Sequence, residues 1–184
     1  MTQIPKALLR ARERWKYTGA KRPDFATAPG PDEESVWDYP RPPRMERDSR
    51  LVAVRHADIS IAETRRATRV LETASPPTFY VPREDVRVEC LERSERRTIC
   101  EWKGHAVYWS LRLGETFLED VAWSYPEPFD GYESLADYFS FYPARLDCTV
   151  DGERVRPQAS GFYGGWVTGE LVGPFKGEPG TEDW

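Results

Sequence analysis

The sequence has few of the residues that build a disulfide scaffold or a structural metal site. Its 184 residues include three cysteines and two histidines. Three cysteines cannot all pair with one another, and no two of them have the C-x-x-C spacing of a zinc ribbon. We therefore expect no disulfide framework and no bound metal.

Long apolar runs are absent as well. No stretch approaches the roughly 18 consecutive apolar residues of a membrane span. The first 17 residues are rich in charge and lack the apolar core of a signal peptide. The sequence therefore predicts a cytoplasmic protein with no membrane partner.

Three common catalytic or cofactor motifs are missing too. The chain contains no G-x-x-x-x-G-K-[ST] phosphate loop, no G-x-G-x-x-G between a strand and a helix, and no G-x-S-x-G nucleophile elbow. We expect no cofactor, and the sequence alone names no reaction.

Aromatic residues, by contrast, are in excess. The chain has 7 Trp, 9 Tyr and 8 Phe, which together make up 13% of it. Aromatic side chains suit the pleated, half-buried surface of a sheet. The 16 prolines and 13 glycines interrupt the chain too often for long helices. These features predict a mainly β fold.

Alternation of apolar and polar residues predicts the individual strands. It is clearest at 105–113, where both faces carry aromatic side chains and both are expected to be covered. The pair Asp151-Gly152 predicts a hairpin, because it accepts the positive φ angles of a type I′ turn. Further strands are expected at 51–55, 58–63, 67–72, 78–81, 86–92 and 120–125.

Composition divides the chain into three segments, 1–49, 50–157 and 158–184. The first is predicted to hold a short basic amphipathic helix, with Ile4, Leu8, Ala11 and Trp15 at helical spacing, and then a Pro-rich connector. The second is the core domain. The third combines glycines with large rings, which predicts an irregular strap pinned to the core by its aromatic side chains.

The basic helix has two interpretations. It could attach to nucleic acid, an acidic membrane surface or a partner, or it could dock on the acidic body of its own chain or of a second copy. Residues 1–22 carry seven positive charges, which are few for phosphate-driven binding at physiological salt. Docking is the expectation, and nucleic acid is not an expected partner.

The candidate binding site surrounds Lys103, which could anchor a carboxylate or phosphate as a flexible point charge. The alternative is that its ammonium points into solvent. Six aromatic residues with polar tips lie at strand ends or beside prolines, and they would either converge on a ligand cleft or fill the core. These are Tyr80, Trp102, Tyr108, Trp123, Tyr125 and Tyr142.

Cys100 is the candidate catalytic residue. A nearby lysine such as Lys103 is the kind of neighbour that stabilises a thiolate. Alternatively, Cys100 serves as a small buried hydrophobic residue. Both interpretations stay open from the sequence.

Several short motifs occur in a fixed order along the middle of the chain. They are Tyr80-x-Pro82-x-x-Asp85-Val86, Thr98-x-Cys100-x-Trp102-Lys103-Gly104, Ala106-x-Tyr108, Ala122-Trp123-Ser124-Tyr125-Pro126-Glu127-Pro128 and Phe141-Tyr142. In this order they resemble the bacterial domain-of-unknown-function family numbered four-two-seven, over about 105 residues from 51 to 155. This resemblance implies a small antiparallel β-tent, similar to a zinc-binding exchange-factor-type protein but without its zinc cysteines.

Three hypotheses of function follow. The first is a β domain that binds a small anionic or planar ligand in its aromatic cleft. The second is an enzyme, either one that uses Cys100 or the nucleotidyltransferase that the family's label implies. The chain lacks the G-S pair and the D-x-D carboxylates of nucleotidyl transfer. The third is an interaction module in which the basic helix and the strap join two copies into a homodimer.

Overall fold

The computed structural model describes residues 4–184, and it is mainly β, as predicted. The helix of the N-terminal segment is α1 (Lys6–Glu13). No helix within 4–184 has both the length and the apolar character needed to cross a bilayer. The strands are β1 (Glu34–Ser35), β2 (Arg44–Asp48), β3 (Val52–His56), β4 (Ile59–Thr64), β5 (Ala67–Leu71), β6 (Thr78–Pro82), β7 (Leu91–Cys100), β8 (Gly104–Leu113), β9 (Thr116–Ser124), β10 (Tyr138–Phe141), β11 (Asp147–Val150), β12 (Glu153–Arg154), β13 (Arg156–Pro157), β14 (Trp166–Val167) and β15 (Leu171–Val172).

Two antiparallel sheets form the body. The larger sheet has seven strands in the order β2-β5-β6-β10-β9-β8-β7, and the smaller has four in the order β12-β11-β3-β4. Strand β13 pairs with β14, and β1 pairs in parallel with β15. Short 3₁₀ turns interrupt the connections at Val36–Asp38, Arg83–Asp85, Val88–Cys90 and Glu133–Leu135.

The main hydrophobic core lies between the two sheets. Val52 and Val54 of β3 pack there with Phe79 of β6 and Phe141 of β10. Trp166 of the strap joins them, fully buried, and donates from its indole Nε1 to the carbonyl of Phe141 at 3.0 Å. The strap is therefore built into the core at this point.

A second cluster covers the outer face of the larger sheet. Successive residues of a strand point to opposite faces, so Phe79 and Val81 face the main core while Tyr80 faces outward. The same alternation sends Tyr108 of β8 and Trp123 of β9 outward. Both faces of the strand predicted at 105–113 are thus covered, as expected.

The predicted hairpin is confirmed, with β11 and β12 joined through Asp151 and Gly152. Their φ angles are +46° and +84°, the positive values that a type I′ turn requires.

The prediction of a strand at 86–92 is wrong. Val88–Cys90 forms a 3₁₀ turn, and the strand begins only at Leu91 and continues to Cys100. Three alternating apolar residues are too short a signal to distinguish a turn from a strand. The real strand lies at the edge of the sheet, where charged side chains are common, and an irregular register between Arg93 and Arg97 disturbs its alternation.

The strand predicted at 120–125 begins four residues earlier, at Thr116. Asp120 has a positive φ of 49° and lies where the register between β8 and β9 shifts. A bulge of this kind breaks the period of two on which sequence prediction depends.

The Pro-rich segment before β2 packs on the body. Trp37 is buried at the centre of a third cluster, together with Val36 and Leu71. Its indole Nε1 donates to the carbonyl of Pro174 at 2.8 Å. This contact brings the C-terminal part of the chain close to the end of the N-terminal segment.

Candidate functional site

A cavity lies over the outer face of the larger sheet. Tyr80 of β6, Tyr108 of β8 and Trp123 of β9 all point to this face. Trp123 pairs directly with Tyr108 on one side and with Ser140 of β10 on the other, and residues paired in this way share a face. Because Ser140 is small, the rings of Tyr80 and Trp123 lean together across β10, with centroids 6.3 Å apart.

The cavity has a volume of about 270 Å³ and is covered by segments distant in sequence. Trp15 covers it from the N-terminal segment, just after α1. The strap covers it with residues 162–165 and with Lys176. The sheet therefore supplies the floor, and the two ends of the chain supply the cover.

Six of the seven residues singled out as ligand candidates line this cavity. The seventh, Trp102, belongs to the same aromatic cluster but does not line the cavity. The Arg12 guanidinium lies 4.9 Å from the Trp102 ring centroid. The Trp102 indole nitrogen is buried without a partner among residues 4–184. The six that line the cavity are Tyr80, Lys103, Tyr108, Trp123, Tyr125 and Tyr142.

Lys103 is held inside by the turn between β7 and β8. Gly104 follows it with a φ of +103°, a conformation that glycine adopts without strain. The Lys103 carbonyl accepts from the Phe129 backbone N–H at 3.1 Å, which fixes the turn against the chain after β9. The alternative that Lys103 points into solvent is not what the structure shows, because the residue is only 8% exposed.

The Lys103 ammonium lies at the cavity without a protein acceptor. Within residues 4–184 its Nζ makes no hydrogen bond and no ion pair, and it lies 5.9 Å from the centroid of the Tyr125 ring. Desolvation by burial opposes the charge, but the groups around it, Cys100, Tyr80 and Glu72, outweigh that effect. The pKa of Lys103 is therefore raised above its ordinary value, so its side chain is an ammonium at neutral pH.

The phenols of the cavity are partly linked to one another and to the walls. The Trp123 indole donates to the Tyr80 hydroxyl at 3.3 Å, and the hydroxyls of Tyr108 and Thr98 are 2.9 Å apart. Tyr142 donates to the carbonyl of Phe162 at 3.1 Å, which ties the strap to the floor. Burial raises the pKa of Tyr80 and of Tyr142, so these hydroxyls stay protonated and remain donors.

Trp15 is held over the cavity by charge. Its indole Nε1 donates to Glu101 Oε1 at 3.0 Å. The Arg41 guanidinium lies 4.3 Å and the Lys176 ammonium 4.1 Å from its ring centroid, distances at which a cation is attracted to the ring. The predicted docking of the basic segment on its own chain is what the structure shows here.

Lys176 differs from Lys103 in having protein acceptors. Its ammonium donates to the carbonyl oxygens of Glu182 at 3.1 Å and Trp184 at 2.8 Å. Burial, reinforced by the positive charge of Arg41, lowers the pKa of Lys176 to about 8. Lys176 is therefore still mostly protonated at neutral pH and loses its proton around pH 8, whereas the pKa of Lys103 is raised.

Positive and negative side chains balance along the cavity. Glu72 is paired with the buried Arg41, whose Nε lies 3.1 Å from Glu72 Oε1. Among residues 4–184 the Glu101 carboxylate accepts from the neutral Trp15 indole and, at 3.9 Å, from the Cys100 thiol. Among the described residues, three cations and three carboxylates line the cavity, namely Arg14, Lys103 and Lys176, and Glu72, Glu101 and Glu182.

The strap approaches the floor too closely for a side chain at one position. A methyl group at Gly164 would overlap Trp123 Cη2 and lie 3.1 Å from Tyr142 Cε1. Carbon atoms in good contact are about 3.5–4.0 Å apart. Glycine is therefore needed where the strap crosses Trp123.

Cys100 is half-buried and lines the cavity, while Cys90 and Cys148 are buried elsewhere. As the hydrophobic alternative expected, Cys100 packs against the aromatic cluster of the outer face, but it is only partly buried. Its role as a nucleophile stays a prediction.

Sequence reasoning missed the covering residues Lys176, Glu101 and Gly164. Lys176 follows the aromatic strap as an ordinary Gly-Pro-Phe-Lys-Gly stretch, and no local pattern marks it. The dense rings and glycines of the strap were the one available signal, since such a segment must lie close against something.

The described chain, residues 4–184, holds no cluster of three or more His, Cys, Asp or Glu side chains that could bind a metal ion. No curated protein matches the chain. One family, described as Domain of unknown function (DUF427), matches residues 44–152. That span includes β2 to β11, and so the whole floor of the cavity and the turn that carries Lys103. The match covers more than half of the sequence, and the chain therefore belongs to this family.

Proposed function

We propose that the protein binds a small anionic ligand with a planar or apolar part in the cavity around Lys103. The observation that carries this proposal is the Lys103 ammonium, which is buried, charged and without an acceptor among residues 4–184. A buried charge is costly unless it is paired. An anion in the cavity would supply the missing partner.

The rest of the cavity supports the same proposal. Ligand sites combine apolar and aromatic walls with a few directed polar groups. Here the walls are the rings of Trp123, Tyr125 and Tyr142, and the directed groups are the Lys103 ammonium and the phenol hydroxyls. The Tyr80 hydroxyl accepts from the Trp123 indole and so has its own proton to donate, which suits an anionic ligand.

Thermal unfolding with a panel of metabolites tests the proposal. The panel should include organic acids, nucleotides and amines, and each compound should be tried on the unaltered chain, on Lys103→Met and on Lys21→Met. Lys21 is exposed and away from the cavity, so its variant controls for the loss of one positive charge. We expect at least one anion to raise the melting temperature of the unaltered chain and of Lys21→Met but not of Lys103→Met. A folded protein that no compound stabilises would contradict the proposal.

Cys100 supports a second candidate, an enzyme that acts on the bound compound. Its thiol lines the same cavity as Lys103, so a ligand held by the ammonium would lie near it. Once a ligand is found, its conversion by the unaltered chain and by Cys100→Ser can be compared. Equal conversion by both would rule out the thiol as nucleophile.

A homodimer and a cytoplasmic location stay predictions from the sequence. The contacts of Arg12 with the carbonyl of Glu101 at 2.7 Å, and of Trp15 with its carboxylate, hold the N-terminal segment on its own chain. Light scattering of the full chain and of a chain lacking residues 1–13, which ends the deletion with α1 and keeps Trp37 and Arg41, would test whether the basic helix also joins two copies. An unchanged mass per particle, after correction for the deletion, would dismiss it as an assembly device.

A further inference from the structure

We infer that the ligand of this cavity is an aromatic monocarboxylic acid, with its carboxylate on Lys103 and its ring against Trp123 and Tyr142. This inference rests on the proposed function and narrows it to one chemical class. Three features of the cavity support it: the charges of its side chains, its volume, and which of its aromatic rings already have a cation nearby.

The charged side chains around the cavity favour a ligand with a single negative charge. Lys103 and Lys176 are the buried cations that line the cavity within residues 4–184, and Lys176 already donates to two carbonyl oxygens. Nearby Arg41 is committed to Glu72 and to three carbonyl oxygens. Arg14 also lines the cavity but is exposed to solvent. Lys103 is therefore the buried cation of the cavity that has no acceptor among residues 4–184, and it matches one carboxylate.

The carboxylates around the cavity oppose a ligand of higher charge. Glu101 has no cationic partner among the described residues, and Glu182 lies at the rim. A phosphate monoester carries nearly two negative charges at neutral pH. It is best bound by several donors with the geometry of a guanidinium or of backbone N–H groups. The Arg41 guanidinium already makes four hydrogen bonds within the protein, and the Arg14 guanidinium at the cavity is exposed to solvent.

Size allows one ring system and little more. The cavity measures about 270 Å³, a little below the roughly 300–1,000 Å³ typical of ligand sites. A cavity of about 150 Å³ is known to hold benzene. The volume therefore suits one ring, or two fused rings, bearing an acid group, and it is small for a nucleotide.

The rings of the cavity favour an aromatic anion over a cation. Lys103 lies near the Tyr125 ring, and Lys176 lies 4.1 Å from the Trp15 centroid and 5.5 Å from that of Tyr163. A cationic ligand would compete with the protein's own ammonium groups for these faces. The rings of Trp123 and Tyr142, with centroids 4.5 Å apart, have no such cation near them in the described chain and can take the ring of the ligand.

Calorimetric titration with four small probes tests the inference. Benzoate is the monoanion, benzamide its neutral isostere, benzylamine the cation and phenyl phosphate the dianion. We expect benzoate to bind the unaltered chain at least about tenfold more tightly than benzamide. A hydrogen bond to a charged group contributes enough binding free energy to give a ratio of this size between the two dissociation constants. Lys103→Met should lose this preference and bind the two probes equally, and Lys21→Met should keep it.

The comparison among probes needs no variant, so it holds even if Lys103→Met fails to fold. Lys103→Gln, which keeps a polar end of similar length, provides a second variant. Tighter binding of phenyl phosphate or benzylamine than of benzoate would overturn the inference, and so would equal binding of benzoate and benzamide. If none of the four probes binds but a metabolite of another class binds and requires Lys103, the proposed function stands and the aromatic acid is wrong. If nothing binds at all, both fail.

Discussion

Gly164→Ala should destabilise the protein because it forces the strap away from the cavity floor. The new methyl group would overlap Trp123 Cη2, and it would lie 2.7 Å from Cζ3 of the same ring and 3.1 Å from Tyr142 Cε1. These are aromatic atoms that cannot swing aside as a flexible chain end would. Either the indole or the strap must move.

The expected cost is that of overpacking a core, about 1–3 kcal/mol. For a protein of this length each kcal/mol lowers the melting temperature by roughly 2–4 °C. We therefore expect a fall of about 2–12 °C, measured by circular dichroism in the near ultraviolet, where tryptophan and tyrosine report directly on packing.

Gly161→Ala provides a matched control from the same strap. A methyl group at Gly161 would meet nothing within 4 Å, so this variant should melt as the unaltered chain does. If Gly164→Ala melted together with Gly161→Ala, the close crossing of strap and floor would be refuted, and the covered cavity with it.

Three further outcomes are expected. Arg41→Lys should lower the unfolding free energy in urea by about 2–4 kcal/mol, because a compact ammonium cannot serve Glu72 and three carbonyl oxygens at once; a loss below about 0.5 kcal/mol would contradict this. Burial, with the charge of Arg41, lowers the pKa of Lys176 to about 8 while Glu72 partly restores it. Between about pH 8 and pH 10 the unfolded chain thus holds a proton on Lys176 that the folded protein has lost. The unfolding free energy should therefore rise with pH relative to that of Lys176→Met, near pH 9 by about 1 kcal/mol per pH unit. Parallel curves of unfolding free energy against pH for the two proteins would refute this. Trp15→Ala should speed benzoate release in stopped-flow fluorescence, because the ring covers the cavity, and an unchanged release rate would show that it is no cover.

The sequence predicted those parts of the fold in which apolar and polar residues alternate regularly. Alternation along 105–113 and the Asp-Gly turn after β11 were enough to place those strands, because each strand there keeps a period of two. The convergence of Tyr80, Tyr108 and Trp123 also follows from alternation once neighbouring strands are in register. Charge and aromatic content alone could therefore indicate a candidate site near Lys103.

The rest depends on contacts that no local pattern records. Trp15 bonds to Glu101 across 86 residues of sequence, and Lys176 reaches the cavity from the strap. Bulges at Asp120 and after Arg93 shift the alternation just where β7 and β9 were misplaced. Covering residues and irregular strands are both decided by tertiary packing.

The most direct test of the central claim is to observe the lysine ammonium groups by nuclear magnetic resonance during a titration with benzoate. The chain has five lysines, so a sample labelled with ¹⁵N and ¹³C at lysine gives few signals, and the Lys103→Met spectrum assigns one of them. We predict that benzoate shifts the Lys103 signal in a saturable way and leaves those of Lys6, Lys16 and Lys21 unchanged. A Lys103 signal that stays in place up to millimolar benzoate, or that moves only together with the exposed lysines, would contradict the account.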